Sequence, residues 1–309
     1  TYVADNPPFG AVLTYHLAEG FPTLEKVRQD AEKDAMDAGK AVRFQGWGAV
    51  EAERRETAPA LKLLIRDAQG NVIRRVDAPA EKGFHRVAWD LHHPYPGSVE
   101  TPPNWQGLPP RGFMATPGDY SAERVLLKDG DSRTLAGPVE FAVERIYESA
   151  IEGPSLAERD AFLKNISSLA GPVSAARYAL EDAIEDIDTM RTMIDLSANA
   201  PGEADRQLHA LHQELLAMLD EFEDSDRGGV GATRQHNFNR WLSHASWGMS
   251  STSYGPTASH VRSLEYATAD FAPLRERLNV VLTTEIPALR ATLMKAGTPW
   301  GRGQAVPLR

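Results

Sequence analysis

The first half of the chain alternates apolar and polar positions, whereas the second half repeats apolar positions at helical spacing. Residues 10–17 alternate as a strand does. Two apolar runs between residues 61 and 76 flank an Asp, Gly and Asn cluster, which predicts a hairpin because these residues adopt turn conformations at low cost. Further strands are predicted over residues 84–91, 117–127 and 139–143. Short strands with a turn signal about every ten residues favour a β-sandwich over a parallel sheet.

The strand over residues 84–91 indicates which side chains form the core. His85, Val87, Trp89 and Leu91 occupy one face and are mostly apolar, so this face is expected to be buried with Trp89 as its anchor. Residues 92–116 are rich in Pro and Gly and are predicted to form a long loop.

A helical insertion interrupts the predicted sheet. Residues 23–40 form a charged, Ala-rich pattern with Leu24, Val27 and Ala31 on one side, and Gly39 is a stop signal. Residues 51–57 predict a second short turn of helix. Since a strand precedes this pattern and strands follow it, the insertion is placed at about residues 22–57.

The second half predicts three long amphipathic helices. Ser155 and Glu158 form a capping-box pattern at the start of the first helix, and Gly171-Pro172 is expected to kink or break it. The helices carry apolar positions between Phe162 and Ile194, Leu208 and Phe222, and Leu264 and Leu293. A shorter helix is predicted near residues 233–244. The apolar positions form a stripe along each long helix. These stripes can be buried only against one another or against another domain, which favours a bundle of three or four helices.

These patterns predict an α+β protein with two domains. An antiparallel β-sandwich with the helical insertion would occupy residues 1–150, and the helical bundle would occupy residues 151–309. A chain of 309 residues is comfortable for two domains. It contains no cysteine, so disulfides and thiolate metal sites are excluded.

Charge and hydropathy exclude two classes of partner. The net charge is −10, with 43 acidic and 33 basic side chains, and no basic stripe offsets it, so nucleic-acid binding is not expected. No apolar stretch approaches the roughly 20 residues that cross a bilayer, so no membrane span is expected. The chain begins at Thr1 without a signal segment, which we interpret as processing or as part of a longer polypeptide.

Three spaced elements carry a family resemblance. Residues 67–74, residues 83–90 and the run from Pro117 to Tyr120 resemble, in this order, the Ig-like module of flagellar hook-capping type. The resemblance implies that the predicted sandwich is Ig-like. Modules of this type occur at the ends of many exported bacterial proteins.

A wider resemblance covers most of the chain. Residues 6–15, the inserted helix, residues 89–91 and residues 247–254 together resemble the C-terminal region of large exported bacterial β-propeller proteins. Those proteins carry sortilin-like or Asp-box repeats and are often labelled glycosyl-hydrolase-like. The resemblance implies an upstream β-propeller, in the same protein or in a partner chain, and an exported location. It also implies that any catalytic face lies on the propeller.

Titratable residues offer only weak candidate sites. His209 and His212 are three residues apart on a predicted helix and could share a metal, but a metal needs further ligands and none is specified. The pair His92-His93 stands in a loop where an Arg-Tyr pair would be typical of the family. Nucleophile and phosphate-binding motifs are absent. We therefore predict no catalytic residue, no metal and no cofactor in this chain.

Aromatic residues in the predicted connections are the remaining binding candidates: Tyr95, Trp105, Trp241, Trp247 and Tyr254. Their rings could stack on sugar faces, dock another domain, or fill the gap between the two domains of this chain. These alternatives stay open at the level of sequence.

Two hypotheses for function follow. In the first, the chain is a non-catalytic accessory segment of a larger exported protein and packs on an upstream β-propeller or binds a protein or glycan partner. In the second, it contributes residues such as Asp90 or the His92-His93 loop to a glycoside-hydrolase-like active site. Glycoside hydrolysis needs two carboxyl groups at a fixed separation. The aspartates Asp67, Asp90, Asp119, Asp129 and Asp131 all fall near predicted turns, which favours the first hypothesis.

Overall fold

The computed structural model describes residues 6, 8–104, 107–146, 152–200, 202–223, 236–252, 254–301 and 304. The protein is mixed α/β, with two antiparallel sheets and a long helical region. The chain divides into two compact units. Unit 1 comprises Thr1–Pro94 with Arg111–Glu148, and unit 2 comprises Tyr95–Pro110 with Ser149–Arg309. The predicted loop over residues 92–116 is therefore shared between the units.

Unit 1 contains all the described strands, and every pairing among them is antiparallel. The strands are β1 (Ala11–Leu17), β2 (Ala60–Asp67), β3 (Val72–Ala78), β4 (Gly83–Trp89), β5 (Gly118–Lys128) and β6 (Asp131–Val143). One sheet has the order β1-β4 and the other has the order β3-β2-β5-β6. The predicted hairpin over residues 61–76 is confirmed as β2 and β3.

Strand β6 is longer than predicted. It begins directly after the turn at Asp129 and Gly130, which adopt φ of 53° and 84°, and not at residue 139. Gly137 and Pro138 made residues 131–138 look like a loop. The sheet accommodates them in an irregularity of register opposite Ala122 and Arg124, where a bulge lets proline sit without a ladder hydrogen bond.

The core of unit 1 is built around Trp89, as predicted. Ile65, Trp89 and Tyr120 are buried together, so strands of both sheets contribute to one apolar cluster. The Trp89 ring meets the Tyr120 ring edge-on with 5.3 Å between centroids. Its indole Nε1 donates to the carbonyl of His92 at 3.1 Å, which satisfies the polar end of a buried side chain.

The helical insertion lies between β1 and β2 as predicted. It consists of α1 (Leu24–Asp37) and α2 (Trp47–Arg55). Thr23 caps α1 by accepting from the Lys26 N–H at 3.2 Å, and the predicted stop Gly39 has a φ of 67°. Helix α2 begins at Trp47, four residues before the predicted turn at residue 51, so Trp47 is helical.

Unit 2 contains the long helices. They are α3 (Leu156–Asp195), α4 (Glu203–Asp220), α5 (Phe238–Ser251), α6 (Ala258–Val280) and α7 (Ile286–Lys295), with a π-helical segment (Val281–Glu285) between the last two. The capping box is confirmed, since Glu158 N–H donates to Ser155 Oγ and Ser155 N–H donates to Glu158 Oε2. The π-helical segment precedes Pro287, whose ring would clash with the carbonyl four residues earlier in a regular helix.

Gly171-Pro172 was expected to kink or break the first long helix, and the alternative of a break is wrong. Helix α3 is 40 residues long and continues through Pro172 without interruption. Leu169 and Val173 are buried on either side of this point, so tertiary packing holds the helix where propensity alone disfavours it. Helix α5 also differs from the prediction, because it extends to Ser251 and includes Trp247.

Candidate functional site

The inserted helices α1 and α2 form a surface of unit 1 that lacks a buried apolar side. Across these two fully described helices no residue is buried. Their contact with each other is polar: Arg28 Nε donates to both carboxylate oxygens of Glu53, at 2.8 and 3.0 Å, and Arg28 Nη1 donates to Glu32 at 2.9 Å. These carboxylates raise the pKa of the Arg28 guanidinium. The helix pair is therefore held by ions and not by an apolar core.

The apolar side chains of this insertion face solvent. Trp47 is 79% exposed and Phe44 is 62% exposed, and their rings meet edge-on at 5.3 Å between centroids. Other apolar side chains of the insertion are exposed as well, namely Leu24, Val27, Met36, Val42 and Val50. We call these seven residues the hairpin surface. The apolar spacing along the sequence indicates Leu24 and Val27, but it does not indicate Phe44 and Trp47, which precede the helix expected from residue 51.

Tyr95, one of the sequence-predicted aromatic residues, lines a cleft. The cleft belongs to unit 2, has a volume of about 690 Å³ and is bounded by α3, α5 and the residues 95–102. The Tyr95 ring lies over Gly97, where a Cβ atom would come within 2.4 Å of it. Trp105, the neighbouring candidate, lies outside the described residues.

The other predicted aromatic residues lie elsewhere in unit 2, and no cleft unites them with Tyr95. Trp241 packs between the rings of His236 and Tyr266, with centroid distances of 5.1 and 5.4 Å. Trp247 projects from α5 and is 73% exposed. Tyr254 follows α5 and lies against Gly153. These side chains are therefore separate surface features.

The histidines that the sequence offered as metal-ligand candidates are not gathered into a cluster of potential ligands within the described residues. His209 is exposed, and His212 Nε2 lies 3.7 Å from Asp188 Oδ1. Within the described part of the chain, no group of three or more potential metal ligands is brought together. His92 Nδ1 lies 2.7 Å from the carbonyl of Asp90, in the bend that follows β4.

Two of the aspartates near predicted turns, Asp67 and Asp90, stabilise those turns. Asp67 accepts from the backbone N–H groups of Gln69 and Asn71 at 3.0 and 2.8 Å, and so closes the β2–β3 hairpin. Asp90 accepts from His92 N–H at 3.1 Å, and Arg111 lies 3.6 Å from its carboxylate.

Two glutamates that the sequence did not single out do converge. Glu214 on α4 and Glu285 in the π-helical segment both bind Arg277, at donor–acceptor distances from 2.5 to 3.0 Å. They line a cavity of about 350 Å³ between α4 and α7. Arg277 lowers the pKa of Glu214, whereas the general acid of a glycoside hydrolase has a raised pKa. Arg277 thus links α4 to the π-helical segment, and the shift at Glu214 is opposite to the one that a general acid needs.

Comparison with known protein families, characterised proteins and solved structures found no match to this chain. Among the described helices, none combines the length and the apolar composition that crossing a membrane requires. The candidate sites therefore rest on their own geometry.

Proposed function

We propose that this chain is an accessory interaction segment that docks onto a protein surface through the hairpin surface of α1 and α2. One observation carries the proposal: the two helices between β1 and β2 bury none of their residues, while Trp47 of α2 and Phe44 in the connection between the helices are exposed. An amphipathic helix in a folded protein normally buries its apolar side, because that burial is the main source of its stability. Here the apolar side is left for another molecule.

The composition of this surface suits a protein partner. Contiguous exposed apolar patches with polar surroundings mark interaction sites, and Trp is among the residues that contribute most to binding. Ion pairs of Lys26 with Asp30 and of Arg54 with Glu51 are more exposed than the Arg28–Glu53 pair and provide a polar rim. The Arg28–Glu53 pair fixes α1 against α2 and so presents the two aromatic rings together.

We further propose that the partner surface is a β-propeller, in the same polypeptide or in a partner chain, and that the protein is exported. Both proposals rest on the family resemblance.

We also propose a fold class for each unit. Unit 1 would be an Ig-like sandwich, supported by the cluster of Ile65, Trp89 and Tyr120 drawn from both sheets. We propose that unit 2 is a helical bundle, supported by the buried stripes of α3, α4 and α6.

Photo-cross-linking tests the docking proposal. Replacing Trp47 by the photoreactive residue p-benzoylphenylalanine in the producing cell should give an adduct, since this ring belongs to the hairpin surface and is 79% exposed. Mass spectrometry of the adduct should identify propeller peptides. The same replacement at Lys33, an exposed polar position of α1, serves as the control and should give no such adduct.

The proposal fails on two outcomes. One is the absence of any adduct from position 47 in a variant whose circular dichroism matches the unmodified protein. The other is an adduct with a second copy of this chain, which would assign the hairpin surface to self-association. Fractionation of the producing cells tests export separately, and retention of the protein in the cytoplasm would contradict it.

A further inference from the structure

The cleft beside Tyr95 is built by three elements of unit 2. Helix α3 contributes a stripe that includes Val173, Arg177 and Tyr178, and α5 contributes Asn239, Leu242, Ser243 and Ser246. Each set follows helical spacing of three and four residues, so one face of each helix borders the cleft. Its volume of about 690 Å³ falls within the roughly 300–1,000 Å³ of small-molecule sites.

The loop that forms the third wall is fixed to α3. Ser98 N–H donates to Ser174 Oγ at 3.0 Å. The carbonyl of Pro96 approaches Gly171 so closely that a Cβ atom there would lie 2.6 Å from it. Gly97 allows the Tyr95 ring to fold over the loop backbone. The cleft is thus shaped before any ligand arrives, which lowers the cost of binding.

The walls of the cleft combine apolar side chains with uncharged polar groups, beside a few charged residues. Val173, Leu242 and Phe222 provide apolar surface, and Tyr95 and Tyr178 provide aromatic rings. Asn239, Ser243 and Ser246 add groups that donate and accept hydrogen bonds. Thr101 also lines this cleft.

The charges at the cleft do not favour an anion. Its described lining holds Glu100, Glu181 and Arg177. Arg177 Nε donates to Glu181 at 3.2 Å, and Arg177 Nη2 lies 3.6 Å from Glu223, so the cation is already compensated. With a net charge of −10 on the whole chain, phosphates and other anions are repelled.

We propose that this cleft binds a short neutral oligosaccharide. A pyranose ring presents apolar C–H faces to aromatic rings and hydroxyls that both donate and accept, which matches Tyr95 and Tyr178 beside the polar groups of α5. A purely apolar ligand would leave those polar groups desolvated without partners. The site is separate from the hairpin surface, so it goes beyond the docking function proposed above and can fail independently of it.

Calorimetry on the whole chain tests this site. The probes are neutral trisaccharides of glucose, galactose, mannose, xylose and N-acetylglucosamine, with trigalacturonate and the fully deacetylated glucosamine trimer as charged counterparts. At least one neutral trisaccharide should bind and the charged ones should bind more weakly. Tyr95→Ala and Tyr178→Ala should each weaken binding about tenfold, because each removes a stacked ring.

Further variants distinguish a real site from a folding defect. Ser243 is exposed at the edge of the cleft, so Ser243→Trp should obstruct the cleft and abolish binding while leaving the thermal unfolding temperature unchanged. Trp247→Ala removes an exposed ring on the same helix outside the cleft and should leave affinity unchanged. Trp47→Ser on the hairpin surface should also have no effect.

Three outcomes would overturn the assignment. The first is that none of the neutral trisaccharides binds. The second is binding that Ser243→Trp leaves intact, which would place the saccharide elsewhere on the chain. The third is a charged trisaccharide that binds more tightly than every neutral one.

Discussion

The imidazole rings of His244 on α5 and His260 on α6 lie 5.2 Å apart, centroid to centroid. His244 Nδ1 is 2.9 Å from Oγ of the buried Ser263. The His260 ring packs so closely on Gly248 that a Cβ atom there would lie 2.2 Å from Nε2. Burial, and then the neighbouring His244, lower the pKa of His260 below its usual 6.5. The contact between α5 and α6 is therefore most stable when the His260 imidazole is neutral.

Acidification should destabilise unit 2. Because the pKa of His260 is lower in the folded chain than in the unfolded chain, the unfolded chain takes up its proton first as the pH falls. This contribution to stability is fully present above about pH 6.5 and is lost as the pH falls from there through the folded pKa. Thermal unfolding followed by circular dichroism between about pH 8 and pH 5 measures the effect.

His260→Gln provides the control for this pH dependence. His260 occupies the third position of α6, where its Nδ1 faces the Thr257 N–H at 3.3 Å. Gln at that position retains a capping group but does not titrate. The variant should lose less stability over the same pH range. Parallel curves for the two proteins would contradict a role for His260.

Trp89 and Phe84 test which face of β4 is buried. Trp89→Ala should cost about 3–5 kcal/mol, because a large side chain buried among Ile65 and Tyr120 is removed. Phe84 is 81% exposed on the same strand, so Phe84→Ala should cost less than about 1 kcal/mol. Equilibrium unfolding in urea measures both free energies. Similar losses for the two variants would contradict the strand register.

Gly171→Ala tests the attachment of the loop to α3. Helix propensity alone predicts that the change stabilises α3 by about 1 kcal/mol. The new methyl group would meet the carbonyl of Pro96, so we expect the loop to be displaced and cleaved faster in limited proteolysis. Gly48→Ala in α2 is the matched control, because no atom lies within 4 Å of its Cβ position. Unchanged cleavage in Gly171→Ala would contradict the close approach.

Arg277→Met should remove an electrostatic link between α4 and the end of α6. Arg277, Glu214 and Glu285 are each about a third exposed, so after screening the loss should be about 1 kcal/mol. Arg277 lowers the pKa of Glu214, so this stability is present above about pH 4.5 and is lost as the pH falls through the lower folded pKa. The variant should consequently lose less stability in acid. Urea unfolding at neutral and acidic pH measures the difference, and an equal acid loss would contradict the link.

Local patterns were sufficient to predict much of the fold. The alternation around Trp89, the hairpin after Asp67 and the capping box at Ser155 each depend on residues close in sequence, and each is present in the structure. In contrast, the break expected at Pro172 and the late start of β6 were wrong. In both places long-range packing or pairing outweighed the local signal.

The candidate sites were less predictable. Tyr95 was identified by its residue type, but the cleft beside it depends on Ser98 meeting Ser174 from 76 positions away. Arg277 is 63 positions from Glu214 and 8 positions from Glu285, and no spacing motif indicates that the two glutamates converge on it.

The sequence by itself determined the succession of strands and helices, the inserted helices and the burial of Trp89, because periodicity and turn residues act over a few positions. Only the tertiary structure decided that the insertion exposes Phe44 and Trp47, and that α3, α5 and the loop from Tyr95 enclose a cleft. A single sequence gives the apolar face of a helix, but whether that face is covered depends on what the rest of the chain brings against it.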